Sequence, residues 1–373
     1  MATRKKGSPV RYAVVGQGYI SQIAVLPAFK HARRNSQLAA LVSDDSTKLK
    51  KLGKRYGVKN LYTYDQYEEL VGSGLIDAVY ISLPNHLHAS FAIRAAEAGI
   101  HVLTEKPMEV TPEACEAMIE ASERYGVKLM VAYRLHFEEG HLTMIEWLKK
   151  KRIGDPRVVD SVFTLAVEPR NYRAGPHGKG GGPVYDIGIY CINAARYLFR
   201  AEPTEVRAMS LGKIRDSEEA TAVVLRFPDD RIANFVCSFG AYPCGTLEVI
   251  GTKGRICVDN AYEIAGDRTV MLDVAGGKMR THKFKFRDQF GPELLYFSDC
   301  ILKNKTPEPS GLEGLADVRI IRAILDSAET GRTVQLDPIK KSTRPGLKQE
   351  IHLPPVEKPV LVKVKEPGKD TAA

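Results

Sequence analysis

The chain has 373 residues, 44% of them hydrophobic and 27% charged, and a formal net charge of +9. That length suits two domains, the composition excludes a mainly disordered chain, and no apolar run approaches the roughly 20 residues of a membrane helix. The surplus charge lies at the ends, with four basic residues and no acid in 1–11 and eight Lys or Arg against four acids in 338–373, which leaves the body near neutral and excludes the basic stripe of a nucleic-acid reader.

Residues 1–10 read as a short basic segment that includes Arg4, Lys5 and Lys6. Arg11–Val15 is an apolar strand that runs into Gly16-Gln17-Gly18, and Ile20–His31 has helical spacing. Gln37–Val42 is a second strand, and Ser46–Tyr56 a polar helix. Ile76–Leu83 is strongly strand-like and stops at Pro84. His88–Ala98 is helical and ends at Gly99, a natural C-cap. His101–Glu105 is another strand. Thr111-Pro112 opens a helix, with proline in the tolerated first turn, and the helix runs to Tyr125-Gly126. Lys128–Tyr133 follows as a strand. This alternation predicts a doubly wound, parallel Rossmann-type sheet over 11–135.

The second half changes character. Arg157–Val167, Thr221–Phe227, Ile232–Phe239, Thr246–Ile250 and Arg255–Val258 are rich in β-branched or aromatic residues, with turns at Pro228-Asp229-Asp230 and Gly251–Gly254. An α+β domain with an open antiparallel sheet is expected over 136–337, closed by a late helix at Leu312–Thr330. From Pro338 to the end, six prolines in 36 residues predict an extended or disordered tail. The six cysteines are scattered and form no C-x-x-C pair, so free thiols in a reducing, cytoplasmic setting are expected.

In doubly wound sheets ligands sit at the carboxyl ends of the strands. Gly16-Gln17-Gly18-Tyr19-Ile20-Ser21 stands there after the first strand. Gly16 permits the tight turn, Gly18 lets a pyrophosphate approach, and the helix start at Tyr19 and Ile20 supplies N–H donors. Ser21 departs from the G-x-G-x-x-G/A pattern at its third small position. The residue after the second strand normally recognises the ribose. Ser43, with Lys48 five residues on, suits a 2′-phosphate and favours NADP over NAD. Asp44 and Asp45 keep NAD open, and the plain alternative for 43–45 is a helix N-cap.

The segments YAVVGQG (12–18), LVSDDSTK (41–48), AVYISLPNHLHASFAIRA (78–95), EKPM (105–108), AYRLHF (132–137), GGGPVYDIGIY (180–190), ARYLF (195–199) and DVRIIRAILDSAETGR (317–332) carry a family pattern. The chain resembles the Gfo/Idh/MocA oxidoreductase family, and within it the glucose–fructose oxidoreductase subgroup. The resemblance spans Tyr12 to about Val334. Many members have His at the end of the D-x-G-x-H motif, whereas this chain has Tyr190, as that subgroup does. The resemblance implies that Ser43 and Lys48 are NADP-binding positions. It places Leu83, Pro84, Asn85 and His88 against the ribose and nicotinamide side, joined by Glu105, Lys106, Arg134, Tyr172 and Arg173. Tyr172 replaces the Trp of that subgroup. Lys106 is implied to be catalytic or to orient substrate.

Oxidising a sugar hydroxyl requires proton loss to a base. Tyr190 is the candidate, because a nearby ammonium such as that of Lys106 favours a phenolate. Asp186 lies four residues earlier, on the same face of a helical segment, where it could accept a sugar hydroxyl or hold Lys106. Arg134 suits sugar hydroxyls or the cofactor, and Asn193 would share the Tyr190 face. Gly180-Gly181-Gly182 reads as a flexible loop or as a close backbone approach to ligand. His136 and His141 are five apart and off alignment on a helix, and hydride transfer to nicotinamide needs no metal, so no metal is expected.

The expected function is NADP-dependent oxidation of a sugar or polyol, with an aldose oxidised at C1 to the lactone as the leading case. The alternatives are a sugar–sugar oxidoreductase with tightly bound NADP and, outside enzymes, a dinucleotide-sensing regulator. The short basic segment before the first strand leads to the expectation that the cofactor exchanges with solvent. A homodimer or homotetramer through the C-terminal sheet is implied by the resemblance.

Overall fold

The computed structural model describes residues 7–340 and 343–365. Arg4, Lys5 and Lys6 of the basic segment, and residues 341–342 and 366–373 of the tail, lie outside the described residues. The chain forms two compact units. The first comprises the chain up to Phe137, Arg287–Leu315 and the segment from Ile351; the second comprises Glu138–Phe286 and Ala316–Glu350. The expected continuous division at 135/136 and 337/338 therefore differs from these units, because two later segments return to the first.

In the first unit, β1 (Val10–Val15), β2 (Ser36–Val42), β3 (Asn60–Tyr62), β4 (Ala78–Ile81), β5 (His101–Glu105) and β6 (Leu129–Ala132) form a wholly parallel sheet in the order β3-β2-β1-β4-β5-β6. The connecting helices are α1 (Leu26–Ala28), α2 (Ser46–Tyr56), α3 (Tyr67–Gly72), α4 (His88–Glu97) and α5 (Pro112–Arg124). Crossover helices cover both faces of such a sheet, so β1, β4, β5 and β6 bury nearly every residue and read as continuous apolar runs, while β3 at the edge buries none. Strand order reverses between β1 and β4, which opens a crevice at their carboxyl ends.

Local chemistry explains the boundaries. Asp45 caps α2 by accepting the Lys48 N–H at 3.1 Å, and Gly57 ends it in a left-handed conformation. Thr111 caps α5 through the Ala114 N–H at 3.2 Å, with Pro112 in the first turn. The helix expected over Ile20–His31 forms without a break over residues 19–28, but with a π-helical turn, Ser21–Val25, ahead of α1. Pro27 has no N–H to return to the preceding turn, so the turn before it widens. The short β3 and α3, in a polar stretch, were not expected from periodicity.

In the second unit, α6 (Glu139–Lys149) precedes β7 (Pro156–Thr164), and α7 (Ile189–Phe199) precedes β8 (Glu205–Leu211), β9 (Ala220–Phe227), β10 (Arg231–Ser238), β11 (Cys244–Gly251), β12 (Gly254–Asp259), β13 (Arg268–Val274) and β14 (Arg280–Phe284). In the first unit again, α8 spans Phe290–Leu302; α9 (Gly311–Thr330) leads back to the second, where β15 (Val334–Gln335) closes the sheet. The nine strands run in the order β14-β13-β12-β11-β7-β10-β9-β8-β15. Strands β8, β13 and β14 and helices α6 and α8 were not anticipated.

The expectation that these strands all face each other antiparallel needs one correction: β7 and β10 pair parallel, Ile232 opposite Val158 through Ser238 opposite Thr164. A parallel neighbour needs a long connection, and the chain between β7 and β10 supplies one through α7 and two further strands. Along β9 and β10 burial alternates, as it does when only one face is covered. The covered face receives the π-helical turn Val184–Gly188, where a Cβ on Gly188 would meet Cys237 Sγ at 3.1 Å.

The tail from Pro338 turns once, in a 3-10 turn at Leu347–Gln349, and beyond it runs extended but not free. Residues 351–365 carry no helix or strand, yet Val362 is buried against the first unit.

Candidate functional site

The phosphate loop closes by backbone contact. Gly16 has φ +91°, and a Cβ there would meet the Ser82 carbonyl oxygen at 2.4 Å, so only glycine fits between β1 and the β4 loop. Around Gly18 nothing lies within 4 Å of where a Cβ would be, which leaves open space above the loop. Ser21, the departure from the motif, turns its hydroxyl inward to donate to the Gly16 carbonyl at 2.6 Å, with Ser82 Oγ 2.9 Å away. Gly18, Tyr19 and Ile20 are half-buried beside fully buried neighbours. A closed turn, an open approach and a helix start together fit the pyrophosphate of a dinucleotide.

At the end of β2 the structure separates the alternatives. Asp44 Oδ1 accepts the Tyr64 N–H at 2.9 Å, and Asp45 caps α2. Both carboxylates hold backbone donors, so the N-cap reading of this segment applies to Asp45. Ser43 is buried with its Oγ accepting the Asp45 N–H at 3.2 Å, and Lys48 stands half-buried in the first turn of α2.

At the ends of β4 and β5, His88 is wholly buried. Its Nε2 lies 2.9 Å from the Leu83 carbonyl and its Nδ1 lies 3.0 Å from that of Pro107. Burial lowers its pKa, and the carbonyls around it act the other way. His88 was expected to touch the cofactor; its nitrogens instead tie the loop of Leu83, Pro84 and Asn85 to the loop of Lys106-Pro107. Pro84 is exposed and Asn85 half-buried in the short turn that follows.

Glu105, at the last position of β5, accepts the Tyr80 hydroxyl at 2.8 Å, and burial raises its pKa. Lys106 follows, half-buried, with its N–H donating to Glu105 Oε2 at 3.3 Å. Arg134, in a 3-10 turn after β6, is buried and donates to Gln289 Oε1 at 2.6 Å. Glu293 of α8 lies in the same unit, wholly buried; burial, and then the neighbouring Glu105, push its pKa well up. Gln289 and Glu293 carried no sequence signal, because their place at this edge depends on a segment that returns from far along the chain.

In the second unit Asp186 and Tyr190 stand on successive turns, Asp186 in the π-helical turn and Tyr190 in α7. From Gly181 to Phe199 they are the two residues that are not buried. Tyr190 packs edge-on to Phe163, ring centroids 5.6 Å apart. Asp186 pairs with Arg173, Nε to Oδ2 at 3.5 Å, while Tyr172 beside it is 66% exposed. Asn193 does not join this group: it is buried and donates to Asp317 Oδ2 at 2.9 Å. The glycine run is packed rather than flexible, since a Cβ on Gly181 would meet the Gly175 carbonyl oxygen at 1.9 Å. His136 lies in the 3-10 turn after β6 and His141 in α6, where it meets the Tyr197 hydroxyl at 2.6 Å and the Ala261 carbonyl at 2.8 Å, so the two share no helix face.

Comparison with known proteins follows the same division. Residues 10–133 match the model of an oxidoreductase family with an NAD-binding Rossmann fold, and residues 141–257 match the GFO/IDH/MocA C-terminal domain. The chain is 32% identical over 341 residues to a D-xylose 1-dehydrogenase [NADP(+)] of Haloarcula marismortui, covering 88% of this chain and 94% of that protein. A D-xylose 1-dehydrogenase (NADP(+)) 2 of Haloferax volcanii is 30% identical over 331 residues, with 87% and 99% covered. Among solved structures, an aldose-aldose oxidoreductase from Caulobacter crescentus complexed with glycerol is 35% identical, covers 88% of this chain and 100% of its own, and superposes with a TM-score of 0.83. With both domain models matched in order and relatives aligned over nearly the whole fold, the chain belongs to the Gfo/Idh/MocA family of oxidoreductases.

Proposed function

We propose that the chain is an NADP-dependent oxidoreductase of a sugar, oxidising an aldose at C1 to the lactone. The observation that carries the cofactor choice is the fate of the two acids after β2: Asp44 and Asp45 are both spent on backbone N–H groups, which leaves Ser43 and Lys48 to face a ribose 2′-phosphate. The NADP(+) in the names of the two haloarchaeal relatives supports it. When bound, a nicotinamide dinucleotide supplies the hydride acceptor. The chain's own residues do the rest. Tyr190 takes the hydroxyl proton at its Oη. Asp186, oriented by Arg173, accepts a second sugar hydroxyl. Lys106 orients the reacting oxygen as a cation, and His88 positions the loop that carries it.

A panel of aldoses followed by NADPH absorbance tests this reading. We expect turnover with NADP+ to exceed that with NAD+, Ser43→Asp to shift preference towards NAD+, and Tyr190→Phe to lower kcat at least ~10²-fold with NADPH binding retained. Preference of the wild type for NAD+ would reject the cofactor assignment, and near-normal turnover by Tyr190→Phe would move the base elsewhere.

The name of the Caulobacter neighbour favours a second reading, transfer between two sugars on retained NADP. Desalting the protein purified without added nucleotide separates the two. Loss of the nicotinamide absorbance supports the dehydrogenase; retention, with one sugar reducing the cofactor and another reoxidising it, supports the transfer enzyme.

Two further readings belong to this proposal. The uncovered face of the second sheet exposes Met209, Leu211, Val224, Ile232, Val236 and Ile250, an apolar area suited to a second copy of the chain. Light scattering that returns a monomer mass would reject it. All six cysteines are free, and no helix among the described residues is long and apolar enough to cross a membrane. A cytoplasmic location suits those thiols; recovery outside the cytoplasmic fraction would reject it.

A further inference from the structure

The segment 351–365 runs over the first unit from the start of α8 to the phosphate loop. At its start the Leu353 carbonyl accepts the Asp288 N–H at 3.3 Å, and Leu353 Cδ1 fills the space beside Gly291. Its middle, Pro354–Val360, bridges a groove of about 980 Å³ whose other wall includes Pro9, Phe29, Ser36 and Arg55. At its far end Arg55 Nη1 donates to the Val360 carbonyl at 2.7 Å. The wholly buried Gln22 then brackets Val362, its Oε1 accepting the Val362 N–H at 2.8 Å and its Nε2 donating to the Val362 carbonyl at 3.0 Å. The same Nε2 lies 3.0 Å from the carbonyl of Gln17, inside the phosphate loop. The strap is therefore bonded to the helical turn that opens the dinucleotide site.

The next residue is Lys363. Its φ is +50°, a left-handed conformation that a lysine rarely adopts. Its Nζ lies 3.4 Å from each carboxylate oxygen of Asp45, two residues past Ser43. An exposed ion pair contributes little to stability, so this contact does not account for the anchoring of the strap. What the anchoring achieves is placement: it carries an ammonium from the far end of the chain to the residue position after β2, where adenosine ribose is recognised.

We propose that Lys363 is a specificity-determining residue for the 2′-phosphate of NADP, delivered to the ribose end of the site by the strap 351–365. This rests on the NADP reading above. A phosphate monoester approaching Ser43 meets the negative charge of Asp44 and Asp45, and Lys363 offsets one of them. The Lys363 side chain is 57% exposed, and an ammonium has three donors, so its pairing with Asp45 leaves donors for a phosphate.

Calorimetric titration of the full chain with 2′,5′-ADP and with 5′-ADP tests the assignment without turnover. The wild type is expected to bind 2′,5′-ADP at least tenfold more tightly than 5′-ADP. Lys363→Ala is expected to weaken 2′,5′-ADP about tenfold, the order of one charge-assisted hydrogen bond, and to leave 5′-ADP within about twofold. Lys363→Glu should lose more, and Lys363→Arg should retain most of the affinity. A wild type indifferent to the 2′-phosphate would overturn the NADP reading and this inference with it. A wild type that discriminates, alongside a Lys363→Ala variant that discriminates equally or weakens both nucleotides alike, would overturn the role of Lys363 alone.

Discussion

The two units hold their polar groups by different means. At the carboxyl edge of the first, the partners are mostly backbone: Ser21 on the Gly16 carbonyl, His88 between the Leu83 and Pro107 carbonyls, Asp44 on the Tyr64 N–H, and Asp45 on that of Lys48. In the second, the partners are charged side chains. Arg173 holds Asp186, and the wholly buried Arg196 binds Glu202 Oε2 at 2.5 Å and Asp317 Oδ1 at 2.6 Å. Backbone partners carry no charge and do not titrate, so such a contact depends on the ionisation of one side chain at most. Charged partners arrive from elsewhere in the chain and depend on both ionisation states.

The strongest test of this contrast is Arg196→Met. It takes the guanidinium away from the buried Asp317 and leaves Glu202 to Arg344 alone, and we expect a loss of about 3–5 kcal/mol, read as a lower midpoint in urea. A loss below about 1 kcal/mol would show that the network is not a support of the second unit. The same network sets an acid limit. Burial pushes the Glu202 carboxyl up, but Arg196 and Arg344 outweigh it and hold its pKa below the ordinary 4.5. The folded state therefore binds fewer protons than the unfolded one below that value, so this stability is present above about pH 4.5 and is lost as the pH falls through the folded pKa. The urea midpoint of the wild type should drop over that window, and that of Arg196→Met should drop less steeply.

Gly16→Ala tests the backbone-built side. A residue forced to φ +91° with its Cβ against the Ser82 carbonyl should cost about 2–3 kcal/mol and should weaken NADPH binding measured by fluorescence. Unchanged affinity would mean that the loop tolerates a shift and that its closeness to β4 is incidental. The smallest effect is expected for Thr111→Ala, which removes one N-cap from α5 at about 1 kcal/mol and should leave NADPH affinity unchanged.

The sequence by itself determined the parallel unit, the glycine turn after its first strand and the placing of Asp186 and Tyr190 on successive helical turns. Each is a matter of local period or local turn chemistry: apolar runs buried on both faces, glycines that alone fit a positive φ, and a four-residue spacing. It also picked out β9 and β10 from their β-branched and aromatic residues and the turn between them. Tertiary structure decided the rest. The parallel pairing of β7 with β10 depends on a long connection and leaves no mark on either strand. The Arg173 partner of Asp186, the burial of His88 and Asn193, and the arrival of Gln289 and Glu293 at the first unit's edge depend on burial and charge pairing between distant segments. The C-terminal strap is the clearest case. Its prolines announced an extended chain, but extended chain has no internal hydrogen bonds, so its course was fixed by what other segments offered it, Asp288, Gln22, Arg55 and Asp45 among them.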